Sequence, residues 1–287
     1  MNRPFRGSIA RTIMTKRLAI AVTACVLAAV GYIYAQGHTG SDLGFKDTPM
    51  LPGDKWHVHD PDRPHPPVVK PGAKLGDAPS DAEILFDGKD LSKWMQKGKD
   101  GKLFEPKWPV RDGYFEVDST HGDLVTKESF GDCQLHIEWA SPAKVEHSSQ
   151  SRGNSGVIFM SLYEIQVLDS YHNPTYADGQ AGAIYGQWPP LVNATRPPGE
   201  WQAYNIIFEA PKFEGDKLIK PVYFTVILNG VLLHNHQASM GPMIYRHVAH
   251  YEAHAAELPL LLQDHNTPVH YRNIWIRKIG TYDRPEK

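Results

Sequence analysis

The sequence predicts an all-β antiparallel sandwich of the jelly-roll type, with one short helix inserted before the closing strands. Three observations point there. Short runs of alternating apolar and polar residues recur at close spacing from Ile84 onward. Asn229-Gly230 lies between two such alternations, a strong hairpin signal. Helical periodicity is nearly absent, its one instance being HVAHYEAHAAELP at 247–259. A chain of 287 residues can hold such a sandwich as one unit.

At the N-terminus Arg11, Lys16 and Arg17 precede an uncharged apolar run from Leu18 to Ala35, and polar Gln36 follows. A basic stretch ahead of an apolar one is the pattern of an export signal over 1–35. The run also reaches the lower edge of a membrane span, so an uncleaved anchor attached to the membrane through 18–35 is the competing reading. Either one places the body of the protein in the periplasm or outside the cell. Val22-Thr23-Ala24-Cys25 resembles a lipoprotein box, but apolar residues continue beyond Cys25. Cys133 is then the one cysteine of the mature body and forms no internal disulfide. In the strand-like DCQLHIEW it reads as a small buried residue.

Residues 36–80 are rich in Pro, Gly and Asp and read as an extended arm, because proline at this density blocks helix and central strand. His57, His59 and His65 lie among those prolines and read as solvated rather than metal-binding. The jelly-roll domain is expected over 81–282. Its strands are EILF, GYFEVDS, DLVTKESF, CQLHIEWAS, GVIFMSL and YEIQVLDS. A loop from Tyr171 to Gly199 follows, then WQAYNIIFEAP, VYFTVILNGVLLHN and HYRNIWIRKIG. The loop, carrying Asp178, Gln180 and Gln187, is expected to shape substrate choice. A net charge of -2 and a pI near 6.7 give no electrostatic case for nucleic acid. Seven Trp and thirteen Tyr suit both a β-sheet and the stacking of sugar rings.

Side chains alternate across a strand, so residues i and i+2 share a face. In YEIQVLD, Glu164 and Gln166 oppose Ile165 and Val167. In QLHIEW, His136 and Glu138 oppose Leu135, Ile137 and Trp139, and in LLQDHN Gln263 and His265 share a face. A sandwich with one wet face explains such alternation by itself. The composition of these pairs goes further, since acids, amides and imidazoles are groups that grip hydroxyls.

LFDGKDLSKW, RGNSGVIFMSLYEIQVLDS, GAIYG, PPGEWQAYNIIFEAP, VILNGVLLHN and LLLQDHNTPVHYRNIWIRKI occur in order between about 82 and 280. Together they resemble the 3-keto-disaccharide hydrolase family. The resemblance implies a concanavalin-like, laminarinase-like jelly roll, commonly exported, acting on sugars oxidised at C3. Members are described as hydrolases of 3-keto-disaccharides or as 3-keto-glucoside 1,2-lyases paired with hydratases of 3-keto-2-hydroxyglucal.

A C3 ketone acidifies the C2 proton, so such chemistry needs a base at C2, an acid at the C1 oxygen and donors for the enolate. Glu164 and His265 are the expected proton-transfer groups. Arg152, Asn154 and Gln166 are expected to grip keto and hydroxyl oxygens, with Asp169, Glu138 and Gln263 as further substrate contacts. Tyr185 and Trp201 are candidate sugar platforms. A divalent cation held by Glu164, Glu138 or His265 is the competing assignment for the same atoms. His250, His254 and Glu257 would share a helix face, a weak metal pattern without the H-E-x-x-H acid. Arg272 is expected to pair with Asp264. A non-catalytic carbohydrate-binding module of the same fold is the alternative function. A laminarinase-type glycosidase is disfavoured, because the amide at 166 interrupts its carboxylate pattern.

Overall fold

The computed structural model describes residues 43–283. These fall into two compact units, one of 43–67 with 281–283 and one of 68–280. In the first, the Phe45 N–H donates to the His59 carbonyl at 2.8 Å and Met50 bridges His57. The apolar run at 18–35 lies outside the described residues. Among those described, no helix is long and apolar enough to cross a membrane.

The second unit is an antiparallel sandwich. Its strands are β1 (Glu83–Phe86), β2 (Trp94–Lys97), β3 (Leu103–Phe104), β4 (Val110–Arg111), β5 (Tyr114–Glu116), β6 (Asp123–Phe130), β7 (Cys133–Ala140) and β8 (Ser155–Phe159). They continue with β9 (Tyr163–Val167), β10 (Gln202–Glu209), β11 (Lys212–Glu214), β12 (Lys217–Lys220), β13 (Tyr223–Leu228), β14 (Val231–Ala238), β15 (Leu258–Leu262) and β16 (His270–Lys278). One sheet has eight strands in the order β14-β13-β10-β7-β16-β5-β4, with β1 also paired to β16. The other has six, β3-β2-β6-β15-β8-β9, and β11-β12 form a separate hairpin. Asn229 and Gly230 both take left-handed φ, 54° and 84°, and make the tight turn between β13 and β14.

Aromatic side chains fill the space between the sheets. Phe159 of β8 stacks on Phe208 of β10, ring centroids 4.7 Å apart, with Phe224 of β13 edge-on at 5.5 Å. Each fully buried ring of this kind contributes about 1.5–3 kcal/mol. Two hydroxyls tie the sheets together across that core. Tyr204 of β10 donates to the Gln166 carbonyl of β9, and Tyr271 of β16 donates to Ser155 Oγ of β8, each at 2.7 Å. Cys133 is buried, and desolvation raises its thiol pKa, as befits an inert core residue.

The helix expected at 247–259 is not formed. The segment runs without regular structure to residue 257, and β15 begins at Leu258. Tertiary ties override the weak local preference of so short a segment. The Val222 N–H donates to Tyr251 Oη at 2.8 Å, which itself donates to the Ser239 carbonyl at 3.0 Å. His254 Nε2 lies 2.7 Å from Tyr163 Oη, and Glu257 pairs with Lys278 at 3.0 Å. His250, His254 and Glu257 therefore do not share a face.

Segment 68–80 is clasped to the outer side of the eight-stranded sheet at Gly76. Its carbonyl accepts from Trp275 Nε1 at 2.8 Å and from Asn273 Nδ2 at 3.0 Å. Its φ is +91°, and a Cβ there would stand 3.3 Å from the His136 ring. Gly76→Val is expected to lower stability by about 1–3 kcal/mol, read as a drop in the denaturant midpoint. An unchanged midpoint would show the clasp to be idle.

Candidate active site

Strand β9 is buried along its whole length. Alternation turns Tyr163, Ile165 and Val167 into the core and sends Glu164 and Gln166 to the outer side of the six-stranded sheet. These two are 3% and 1% exposed, so the outer side of β9 is not a wetted face. Its cover comes from the 171–199 loop. The Gln166 N–H donates to the Ala183 carbonyl at 3.0 Å, the Gly182 N–H to the Gln166 carbonyl at 2.9 Å, and the Tyr185 N–H to the Glu164 carbonyl at 3.2 Å. This pairing closes the free edge of β9 and brings Tyr185 to the Glu164 main chain.

On the neighbouring strand Gly156 is paired with Gln166 and Ile158 with Glu164. The Glu164 side chain folds over Gly156, where a Cβ would come within 2.6 Å of Oε1. Only glycine leaves that space.

Asn154, Glu164, Gln166, Tyr185, Gln263 and His265 all line one cavity of about 510 Å³. Burial, with no salt bridge to Glu164 among the described residues, pushes its carboxyl up to about 8 from an ordinary 4.5. With its nitrogen toward β8, the Gln166 amide donates to the Ser155 carbonyl at 3.1 Å and to Glu164 Oε1 at 2.9 Å. Turned over, it reaches Gln150 Oε1 at 3.0 Å but sets its own oxygen against the Ser155 carbonyl.

Asn154 donates through Nδ2 to the Gln150 carbonyl at 2.7 Å, while its buried Oδ1 has no partner among the described residues. That oxygen is an acceptor waiting for a donor. The Tyr176 and Tyr185 hydroxyls lie 2.9 Å apart. One phenolic proton occupies that bond and the other is free for a ligand oxygen. Burial raises both phenol pKa values, so both stay protonated donors. Gln263 is held by β8, its N–H donating to the Gly156 carbonyl at 3.0 Å. His265 is exposed, in a turn where Asp264 Oδ1 accepts from the Asn266 N–H at 2.9 Å.

Four expected residues stand elsewhere. Glu138 lies on β7, on the outer side of the other sheet. It accepts from Arg272 Nε at 2.6 Å and Asn273 Nδ2 at 2.9 Å. Burial alone would raise its pKa, but hydrogen bonds from His136, Asn273 and Arg272 outweigh that and hold the carboxyl down at about 2. Arg272 thus pairs with Glu138 instead of Asp264. Its guanidinium also covers Trp201, 4.0 Å from the ring centroid, so Trp201 packs here and offers no platform in the cavity. Arg152 and Asp169 form a buried ion pair, Nε to Oδ2 at 2.6 Å, and Arg152 Nη2 donates to the Tyr171 carbonyl at 2.9 Å. This pair anchors the chain leaving β9 and lines a different cavity with Thr267. Their polar groups are spent on each other and on the Tyr171 main chain, with Asp169 buried and Arg152 half-buried.

The cation set of Glu164, Glu138 and His265 does not assemble, since Glu138 is on the other sheet. Among the described residues no three His, Cys, Asp or Glu side chains gather as a metal site. Gln150, Tyr176, Met243 and Tyr245 also line the cavity, beyond the residues that strand alternation points to. Gln150 has a local signal, standing just before the Arg-Gly-Asn-Ser-Gly turn. Tyr176 falls within the loop expected to shape substrate choice. Met243 and Tyr245 sit in irregular chain that carries no periodicity.

Residues 81–277 match the family model described as a 3-keto-alpha-glucoside-1,2-lyase-like domain. A crystal structure of a candidate glycosyl hydrolase from Parabacteroides distasonis ATCC 8503 is 44% identical, covers 81% of this chain and 100% of its own, and has a TM-score of 0.72. A second structure so described from the same organism is 20% identical over 69% of this chain and 94% of its own, with a TM-score of 0.50, a likeness of fold alone. No curated protein matches the chain.

Gly156→Ala is expected to push the Glu164 carboxyl aside and cut activity at least ten-fold with little change in overall fold, read by kinetics beside circular dichroism. Full activity would mean that the Glu164 position is not demanding. Stability gives a second test. A carboxyl whose pKa rises on folding favours the native state fully below about 4.5 and loses that contribution as pH rises through about 8. Glu164→Gln should therefore match the wild type near pH 4 and exceed it by about 3–5 kcal/mol near pH 9. Parallel stability curves would contradict the buried, raised carboxyl.

Proposed function

The chain belongs to the 3-keto-alpha-glucoside-1,2-lyase-like domain family, and from that premise we propose that it is an exported carbohydrate-active enzyme cleaving 3-keto-glycosides by elimination and hydration. The observation that carries the reading is Glu164, a buried carboxyl raised to about 8 in a cavity that also presents four amides, several hydroxyls and an imidazole. Such a chamber suits turnover better than the flat aromatic platform of a binding module. Export follows from the basic and apolar segment at 1–35.

In this account Glu164 takes the proton from C2, and the C–H electrons pass into the C3 carbonyl as an enolate. Raised basicity helps, since a carboxylate of ordinary pKa would be a weak base for a carbon acid. The free phenolic proton of the Tyr176–Tyr185 pair stabilises the enolate oxygen, a preorganised donor worth several kcal/mol in a dry site. The enolate collapses to a C1=C2 bond and expels the C1 oxygen, which takes a proton from His265. Water then adds at C1, C2 regains its proton, and the free 3-keto sugar leaves. Asn154 Oδ1, Gln150 and Gln263 hold the remaining hydroxyls, with the Asn154 oxygen gaining the donor it lacks.

Purified protein is expected to consume 3-keto-trehalose or a 3-keto-glucoside and to leave the unoxidised parent untouched, followed by chromatography of the sugars. Equal turnover of both would reject enolate chemistry. Glu164→Gln should lower kcat by about 10²–10⁴-fold while the protein stays folded. Loss of turnover on chelation, regained with an added divalent cation, would instead assign the enolate oxygen to a metal held by Glu164 and His265.

A further inference from the structure

A second cavity, of about 450 Å³, adjoins the first and shares Tyr176, Tyr185 and Tyr245 with it. The three tyrosines form the partition. Tyr176 and Tyr185 are joined at their hydroxyls, with ring planes at 65° and centroids 6.4 Å apart. The two chambers differ in their polar side chains. The first holds four carboxamide side chains, Gln150, Asn154, Gln166 and Gln263, beside Glu164 and His265. The second has no carboxamide. Beyond the tyrosines it is walled by Gly186, Ile244 and Val248, with Asp178, Arg246 and His247 as its charged or titratable side chains. Val248 is 84% exposed and Tyr245 64% exposed, a costly placement for apolar and aromatic side chains in a loop with nothing over them.

Sugar hydroxyls need a donor or acceptor each, and an unmet one costs binding. Asp178, Arg246 and His247 offer such groups on part of the second chamber's wall, while the three phenol faces with Ile244 and Val248 match a flat apolar ring. Resting on the function proposed above, we infer that the second cavity is the leaving-group subsite and that it takes an aglycone bearing an aromatic ring in preference to a second sugar. The keto sugar sits among the amides with its C3 oxygen at the Tyr176–Tyr185 hydroxyls, its C1 substituent passes the Tyr245 side of the partition, and the ring of the departing alcohol packs against Ile244 and Val248. A ring held there covers part of the exposed Val248 and Tyr245 side chains.

The test separates ring binding from leaving ability by comparing 3-keto benzyl glucoside with 3-keto methyl glucoside, whose alcohols depart with similar reluctance. The wild type is expected to favour the benzyl substrate by about ten-fold or more in kcat/KM, and to favour it over 3-keto-trehalose. Ile244→Asp and Val248→Asp should bring the benzyl-to-methyl ratio toward one, and the exposed Val248 position keeps the second variant folded. A ratio near one in the wild type, a ratio unmoved by both variants, or a preference for 3-keto-trehalose would overturn the inference. If no 3-keto substrate reacts, the proposed function fails by itself. Binding of benzyl alcohol, followed by NMR shifts, then decides the subsite: saturable binding weakened by either variant upholds a ring-binding chamber, and absent or unaltered binding overturns it.

Discussion

A carboxyl group taken out of water without a cation to meet it is the constraint on which this molecule turns. Glu164 is fixed there by both strands it touches. β9 presents it to the outer side of the sheet, and Gly156 on β8 leaves the space in which it lies. The loop that seals the edge of β9 supplies Tyr185 and excludes solvent in the same stroke. The sandwich core makes this arrangement stiff, since Tyr204 and Tyr271 reach through it to grip the backs of β9 and β8. Desolvation has a cost in stability, which a site tolerates when its reactivity depends on that dryness.

Glu138 shows how much depends on neighbours. It too alternates with apolar residues on a central strand, and it too is largely covered. There, Arg272 and Asn273 from β16 meet the carboxylate and hold it ionised at about 2, whereas Glu164, with an amide for company, is pushed to about 8. One acid is a structural ion beside the Gly76 clasp. The other is a raised carboxyl, which the proposed function makes the proton-transfer group.

The two acids look alike in sequence, because alternation reports a face and not the strand next to it. Which carboxylate meets a guanidinium is decided by the pairing of β7 with β16, residues far apart in the chain. Local chemistry was more legible: the Asn229-Gly230 turn, the alternation of β10 and β13, and the grouping of Glu164, Gln166, Gln263 and His265 were all readable from period and turn residues. Trp201 and Arg152 misled because their partners, Arg272 and Asp169, are set by tertiary packing. The segment 247–257 misled for the converse reason. Its spacing permits a helix, yet the hydroxyl of Tyr251 and the ring of His254 are claimed by the sandwich. Tyr245 and Met243 carried no periodic mark at all, being placed by irregular chain.

The measurement that bears most directly on the account is a titration of carboxyl carbons in protein labelled with ¹³C at glutamate side chains, with Glu164→Gln as the assigning variant. One glutamate signal should titrate near pH 8 and vanish in the variant, while that of Glu138 stays ionised to about pH 2. If the signal lost in the variant titrates below about 5 like an ordinary carboxylate, Glu164 is solvated or paired, and the poised base at the centre of this site does not exist.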